Sequence, residues 1–476
     1  MNQRWMVRVV GLALGMVGVI SMAMTAAPAY AELEDILYEK GQITKEEWLK
    51  AKADADRAKA DAEKATAPVK ELDDWKKKVE KLAILSDRFN IGLNVLQVQF
   101  LANEAESEAG GNSDNRFFIR RAELVAWGKV SDYFPRWHLL ADFASRNNNT
   151  ANTTAITASD ILKEAYVDIV PVLSFQPYIN KVRIGQDRIP VGIEGSTTSA
   201  LIDFVNRSYI TQAPGATAAV GGFPNGVFGT ASAGVAGTVD FVQERDLLVS
   251  VQSKPVEQVE LDLGLMNGNN INGVGAAIDN NDQKDFFGRA RIKPRKDLFF
   301  SFSTIQGTSD GVNSRNGGRG KGTFDRYLAD FQFKPEFIPG LHFQGEYAWG
   351  HDAPPVASTT PGAPGFNTVT TGKGEMRTAW YLYGKYLLQS GPLKDVELLA
   401  RHEQFDPSGN TSQDVMFRTT LGINYYFANL PPKVQAKLML NYEFRNRGGF
   451  GPLGGVRGSD EFGHDALLLQ FHVRWF

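Results

Sequence analysis

The sequence of 476 residues contains no cysteine, which rules out disulfide bracing and thiolate metal sites. It also lacks a charge of one sign: 51 basic residues against 54 acidic ones leave a formal net charge of -3. That balance provides no global basic field and argues against nucleic acid as a partner. Beyond the apolar run from Val9 to Met24 no unbroken apolar stretch reaches the length of a membrane-spanning helix. An exported soluble protein and a strand-built barrel remain. There are only six histidines, and His342, His402, His464 and His472 fall on separate candidate strands without metal-ligand spacing, so neither a metal nor a cofactor is expected.

What is present begins with an export signal over residues 1–31, in which Arg4 and Arg8 precede the apolar run and Ala29-Tyr30-Ala31 supplies an A-x-A cleavage site. The mature chain is expected to start at Glu32. Near the other end, three stretches alternate apolar and polar residues. In the first, Val415, Phe417, Thr419, Leu421, Ile423, Tyr425 and Phe427 oppose Arg418, Thr420, Gly422 and Asn424. In the second, Val434, Ala436, Leu438, Leu440, Tyr442 and Phe444 oppose Gln435, Lys437, Asn441, Glu443 and Arg445. The third runs into Phe476, with Leu467, Leu469, Phe471, Val473 and Trp475 in the apolar row and Phe476 one step out of phase. Successive strand side chains point to opposite faces, so each stretch has one lipid-compatible and one wet side. A tilted transmembrane strand needs about 9 to 11 residues.

Residues 32–88 differ from the rest, being rich in Lys, Glu, Asp and Ala, and are expected to form a helical extension. Thr44-Lys45-Glu46-Glu47 fits a capping box, with Ile43 placed to staple against Trp48. After Pro68, Leu72, Trp75, Val79 and Leu82 recur at helical spacing. Two readings of this stripe stay open: a short coiled coil, or a solvated helix docking on the barrel rim. From Phe89 onward sixteen candidate strands can be marked, near 89–101, 116–130, 134–146, 161–170, 176–188, 244–253, 256–267, 284–293, 297–307, 324–334, 341–350, 375–388, 395–405, 414–427, 433–445 and 464–476. Tight turns are expected at Lys254-Pro255, Pro294-Arg295-Lys296 and Asn429-Leu430-Pro431-Pro432, alternating with longer polar loops, the asymmetry of outer-membrane barrels. The fold class is therefore a sixteen-stranded antiparallel transmembrane β-barrel, residues 89–476, with an even strand number placing both ends in the periplasm. Trp349, Tyr425, Tyr426, Phe427, Phe444, Trp475 and Phe476 sit near strand ends as an interfacial girdle would.

The segment Phe117-Phe118-Ile119-Arg120-Arg121-Ala122-Glu123-Leu124 resembles the arginine-paired second strand of the phosphate-selective porin O and P family. Glu164-Ala165-Tyr166-Val167-Asp168, then Val182-Arg183-Ile184-Gly185-Gln186-Asp187-Arg188-Ile189-Pro190-Val191-Gly192-Ile193-Glu194, then Phe204-Val205-Asn206-Arg207-Ser208 follow the order of that family's landmarks. The Glu39-Lys40-Gly41-Gln42-Ile43-Thr44 turn is also similar to one carried by many members. The resemblance implies an outer-membrane homotrimer, a loop folded inward after the fifth strand, and an arginine ladder passing anions, with Arg120 and Arg121 at the position of the paired arginines.

A passive pore needs no catalytic constellation, because selectivity follows from diameter and lining charge. Lys181, Arg183 and Asp187 share one face of the fifth strand, and Arg289, Arg291 and Lys293 one face of the eighth. With Arg120, Arg121 and Arg207 these are the expected pore-lining, anion-binding residues, since a guanidinium offers a fork of donors to phosphate or carboxylate oxygens. Glu260, Asp262, Asp330, Glu346, Glu397 and Glu443 also fall on polar faces, and the bland account of each arginine is a lumen charge they balance. Residues 195–243 form the longest connection, too long for a simple outer loop, and are expected to fold into the lumen as the constriction. Their only charges are Asp203, Arg207 and Asp240, and the absence of lysine there departs from the phosphate-selective pattern.

The resulting expectation is a diffusion porin with modest preference for anions such as phosphate or other oxyanions. The expected partners are outer-membrane lipid, small anions, further copies of the chain and a periplasmic or cell-wall partner for residues 32–88. A non-selective porin and a barrel-anchored tether are the alternatives. A barrel-borne hydrolase would use Gly307-Thr308-Ser309-Asp310-Gly311, which fits G-x-S-x-G but reads as a loop tip. Arg315 to Lys321 places three cations among glycines, and an exposed loop is its default reading.

Overall fold

The structure, a computed structural model, describes residues 44–50, 52–53, 88–103, 115–144, 161–171, 178–211, 241, 245–268, 283–310, 321–351, 376–406, 415–430, 434–447 and 465–475. The chain divides into two units, Met1–Ser86 and Asp87–Phe476. In the first, residues 45–50 are helical, and the capping box forms. The Thr44 N–H donates to Glu47 Oε2 at 2.8 Å, while the Glu47 N–H donates to Thr44 Oγ1 at 3.3 Å. The Thr44 N–H and the Thr44 hydroxyl, the latter at 2.9 Å, both donate to the carboxylate and hold Glu47 below the usual glutamate range. The export signal and the stripe after Pro68 lie outside the described residues, as does Phe476. Among the described residues no helix is long and apolar enough to cross a membrane, which says nothing of strands.

The second unit is a closed antiparallel barrel of sixteen strands, each hydrogen-bonded to its neighbours in sequence, with the first paired to the last. The strands are β1 Asn90–Asn103, β2 Asn115–Gly128, β3 Arg136–Asp142, β4 Leu162–Ile169, β5 Lys181–Arg188, β6 Arg245–Val256, β7 Val259–Met266, β8 Asp285–Arg295, β9 Leu298–Asp310, β10 Lys321–Phe333, β11 Leu341–His351, β12 Met376–Leu387, β13 Val396–Asp406, β14 Met416–Leu430, β15 Val434–Arg447 and β16 Ala466–Trp475. Closure leaves no unpaired edge, which a strand in hydrocarbon could not tolerate.

Burial alternates as the sequence pattern requires. On β14, Leu421 and Ile423 are exposed on the outer face while Arg418, Thr420 and Asn424 are buried inside. On β16, Gln470 and His472 face inward and Phe471 outward, which puts Trp475 in the outer row. Outward rings touch across neighbouring strands, as in Tyr327–Trp349 at 5.7 Å between centroids, and along one strand, as in Tyr442–Phe444 at 4.7 Å.

Four local expectations change. Lys254-Pro255 is not a turn: β6 continues through Val256, the register shifts between Ser253 and Val256, and the turn is Glu257-Gln258. Pro294 likewise lies inside β8 at a register shift, with Lys296-Asp297 turning. A proline cannot donate to a ladder, and an irregular strand end is where that costs least. Gly307 to Asp310 belong to β9, with Ser309 opposite Gly322, rather than to a loop tip. Tyr426, assigned to the girdle, faces inward and donates its hydroxyl to Glu397 Oε2 at 3.1 Å. The turn expected at Asn429 to Pro432 lies only partly among the described residues, where β14 continues to Leu430.

The two-residue connections Glu257-Gln258 and Lys296-Asp297 lie at one rim, and the longest ones, residues 189–244 and 352–375, leave from the other. The lipid-face assignment makes a prediction: Leu421→Arg should destabilise the folded barrel in bilayers by about 2–4 kcal/mol. Urea titration of refolding into vesicles measures it, with Leu421→Ala as the size control.

Candidate functional site

The interior of the barrel is the candidate site, and its distinctive element is the start of the long β5–β6 connection. Residues 192–211 turn inward and bond to the inner faces of the far strands. The Val205 N–H donates to Asn441 Oδ1 at 2.7 Å, the Tyr209 N–H to Glu403 Oε2 at 2.7 Å and the Glu194 N–H to Glu346 Oε1 at 2.6 Å. From the wall, Arg401 donates to the Asn206 carbonyl at 3.1 Å, Asn424 to the Asp203 carbonyl at 3.0 Å and Lys437 to the Ile202 carbonyl at 3.2 Å. Peptide groups removed from both water and a strand ladder need such partners.

One carboxylate ties the segment into a knot. Glu194, on the short helical turn Ile193–Ser196, accepts from the Ser208 N–H and the Thr211 hydroxyl, each at 2.7 Å, and from the Ser208 hydroxyl, while Arg401 stands 3.5 Å away. Gly192 before it has φ +66°, and a Cβ there would meet Glu346 Oε2 at 2.5 Å, so only glycine fits. The segment's rings then cover the wall cations: Arg401 lies over Phe204 at 4.5 Å and Arg418 over Tyr209 at 4.5 Å. Farther along, the Phe241 N–H donates to the Ile210 carbonyl at 3.0 Å, closing the base of residues 211–240.

Of the expected site residues, Arg120 and Arg121 are adjacent and yet both face inward. The register with β1 shifts so that Gln97 opposes Arg121 and Val98 opposes Ile119, leaving Arg120 as the extra residue of a bulge. Arg120 donates to Gln99 Oε1 at 3.0 Å and to Asn206 Oδ1 at 2.9 Å, whereas Arg121 lies 3.7 Å from Glu123 and 3.8 Å from Asp142. Asn206 in turn donates to Glu443 Oε1 at 3.0 Å, so β2 and β15 hold the segment between them.

Arg183 grips Asp168 bidentately at 2.6 and 2.9 Å, also bonds Asp187, and lies 3.8 Å over the Tyr166 ring. Lys181 is 3.5 Å from the same Asp168. Gly185 allows this approach, since a Cβ there would sit 2.3 Å from the Ala165 carbonyl oxygen. Register places Lys181, Gln252, Asp262 and Arg289 in one row across β5 to β8, which brings the two predicted basic strands together with a carboxylate between them. Arg289 is 4% exposed, bonding Ser301 and Ser196 at 3.1 Å and lying 3.6 Å from Asp330. Arg291 and Lys293 share Glu260, at 3.3 and 2.5 Å, and keep a quarter and a third of their side chains exposed.

Arg207 does not line open space. It is 3% exposed and donates to the Glu194 carbonyl at 2.6 Å and the Thr197 carbonyl at 2.9 Å, holding the segment's own turn. The sequence argument missed the densest charge cluster, on β13 to β15. Glu403 lies 3.0 Å from Arg401 and 2.7 Å from Arg418; Glu443 lies 3.4 Å from Arg418 and also bonds Arg445. Its signal was the polar rows carrying Arg418, Glu443 and Arg445, legible by alternation but not by any one residue. Among the described residues no group of histidines and carboxylates could hold a metal ion.

At the turn rim, a cavity of about 730 Å³ separates residues 193–204 from β10 to β15, with Lys334, His342, Lys385 and Lys437 among its lining.

No curated protein matches the chain. Among solved structures, OprB of Pseudomonas putida is similar over 84% of this chain and 97% of its own, at 10% identity and a TM-score of 0.50. The anion-selective porin of Comamonas acidovorans covers 81% of this chain and 98% of its own at 11% identity and TM-score 0.48, and the outer membrane channel DcaP of Acinetobacter baumannii covers 81% and 97% at 10% and 0.47. At these identities the likeness bears on the fold alone.

Removing the Glu194 carboxylate by Glu194→Ala should orphan the Ser208 and Thr211 donors at about 1–3 kcal/mol each. The expected outcome is protease cleavage within 193–211 in a barrel that keeps its heat-modifiable gel mobility; unchanged protease resistance would refute the knot.

Residues 89–247 match the family model for phosphate-selective porin O and P. That segment holds the bulged arginine pair, the Arg183–Asp168 grip and the Glu194 knot. The match and the closed barrel place the protein in the outer membrane of a Gram-negative-type bacterium, and over residues 89–247 the chain is similar to the phosphate-selective porin O and P family.

Proposed function

We propose that the barrel is a water-filled channel for passive diffusion of small solutes with a modest preference for anions, phosphate and other oxyanions included, and that residues 192–211 begin its constriction. The observation that carries the reading is the charged inner face of a closed barrel with a peptide segment held across it. Arg120, Arg121, Lys181, Arg183, Arg289, Arg291 and Lys293 all contribute cationic groups to that face. The degree of preference follows from their partners: Asp168, Asp187, Glu260 and Asp330 stand beside most of them. Cations paired with carboxylates on a wet wall produce a weak net field. The lysine-free stretch 195–243 points the same way, away from tight phosphate capture.

The proposal extends to the ends and the assembly. With sixteen strands, both termini of the barrel lie at the turn rim, which on the porin pattern is periplasmic. The helical stretch after Thr44 then belongs to a periplasmic extension, spanning residues 32–88, that reaches a cell-wall or periplasmic partner. A homotrimer is the expected assembly.

Planar-bilayer recording tests the reading. Conductance should be ohmic, and the reversal potential in a potassium chloride gradient should report a modest excess of chloride permeability. Arg291→Gln with Lys293→Gln should move that potential towards the unselective value, because these two cations keep a quarter and a third of their side chains exposed. Strong cation preference in the unaltered protein would overturn the anion reading.

A further inference from the structure

The cavity at the turn rim contains polar groups that the wall does not use. His342, at the start of β11, is 6% exposed, yet neither Nδ1 nor Nε2 has a hydrogen-bond partner. Its ring edge meets Tyr383 at 5.4 Å between centroids. Lys437 is 1% exposed; its ammonium group donates to the Ile202 carbonyl at 3.2 Å and lies 5.6 Å over the Tyr426 ring. Among the described residues no carboxylate comes within ion-pair distance of Lys437 or of Lys334. The two nearby acids are already taken: Lys385 holds Asp203 at 2.8 Å and Glu397 at 3.0 Å. A buried imidazole without partners, and a buried ammonium with one carbonyl and no carboxylate at ion-pair distance, are costly unless something else supplies them.

We propose that this cavity binds a small organic monocarboxylate with an apolar body. Lys437 and Lys334 hold the carboxylate and His342 adds a ring N–H. The charge count selects a monoanion. Lys385 is taken up by Asp203 and Glu397, Glu194 is set against Arg401, and Lys334 and Glu336 both stand exposed on the turn, so Lys437 is the one buried cation of the lining without a carboxylate at ion-pair distance. A dianion would overshoot that charge and face both carboxylates. The opposite wall selects the body: Leu201, Ile202, Phe204 and Pro339 give the cavity an apolar side suited to a ring or short alkyl group. Pockets that orient a small ligand combine an apolar wall with a few convergent polar groups. The volume of about 730 Å³ leaves room for such a molecule beside water.

This inference rests on the reading of the barrel as an open channel, through which the cavity is reached, but not on its ion preference. The test is equilibrium dialysis of labelled benzoate against the full-length protein in detergent, with acetate and inorganic phosphate as competitors, and no ion gradient. Benzoate should bind, with acetate and phosphate each at least about tenfold weaker as competitors. Lys437→Gln should raise the dissociation constant about tenfold or more, the scale of one lost charged hydrogen bond. Leu201→Asn, on the half-exposed apolar wall, should raise it about threefold. Heat-modifiable gel mobility confirms that each variant is folded, and if Lys437→Gln does not fold, the Leu201→Asn result decides. Phosphate or acetate competing as well as benzoate, or unaltered affinity in a folded variant, would overturn the proposal. Benzoate binding in a pore without anion preference would overturn the selectivity reading and leave this one standing.

Discussion

A chain drawn into the interior of a closed barrel gives up the hydrogen-bond ladder that makes the barrel possible. Its peptide groups must then be satisfied one at a time by side chains from the wall. That constraint organises the inner face. Asn441, Asn424, Glu403, Glu346, Arg401 and Lys437 are placed to meet particular N–H and carbonyl groups of residues 194–209. Glu194 then draws Ser208 and Thr211 back onto its own carboxylate. The inner wall is therefore a scaffold for a folded peptide as much as a lining for ions.

The family landmarks take on a physical meaning in this light. Tyr166 and Asp168 of one landmark and Arg183 of the next form a single stacked, bidentate contact. Glu194 of the second meets Ser208 of the third. These residues position the segment rather than await a solute. It follows that arginine count is a poor guide to selectivity: Arg207, Arg401 and Arg418 bond carbonyls of the segment, and a guanidinium committed to a carbonyl offers fewer donors to a passing anion.

Alternation made the barrel legible, because a period of two with one apolar face admits few other folds, and all sixteen strands stand where that pattern placed them. It failed where the backbone departs from the period. Simple alternation puts Arg120 and Arg121 on opposite faces, and only the register shift against β1 turns both inward. Pro255 and Pro294 looked like turns because prolines punctuate loops, but each lies at an irregular strand end just before a two-residue turn. Tyr426 groups by chemistry with Tyr425, although neighbours on a regular stretch of strand point to opposite faces. The pairing of Glu403 with Arg401 and Arg418 needed cross-strand register, which no single strand carries.

The bond from Phe241 to Ile210 has an evolutionary corollary. The bond brings the two ends of that connection together, so the wall and the knot meet the same closed base whatever the length of chain between them. Each doubling of a flexible loop costs only about 0.6 kcal/mol in closure entropy. Insertions and deletions there can accumulate between related chains while the wall and the knot stay the same, making this the stretch in which lineages are free to diverge.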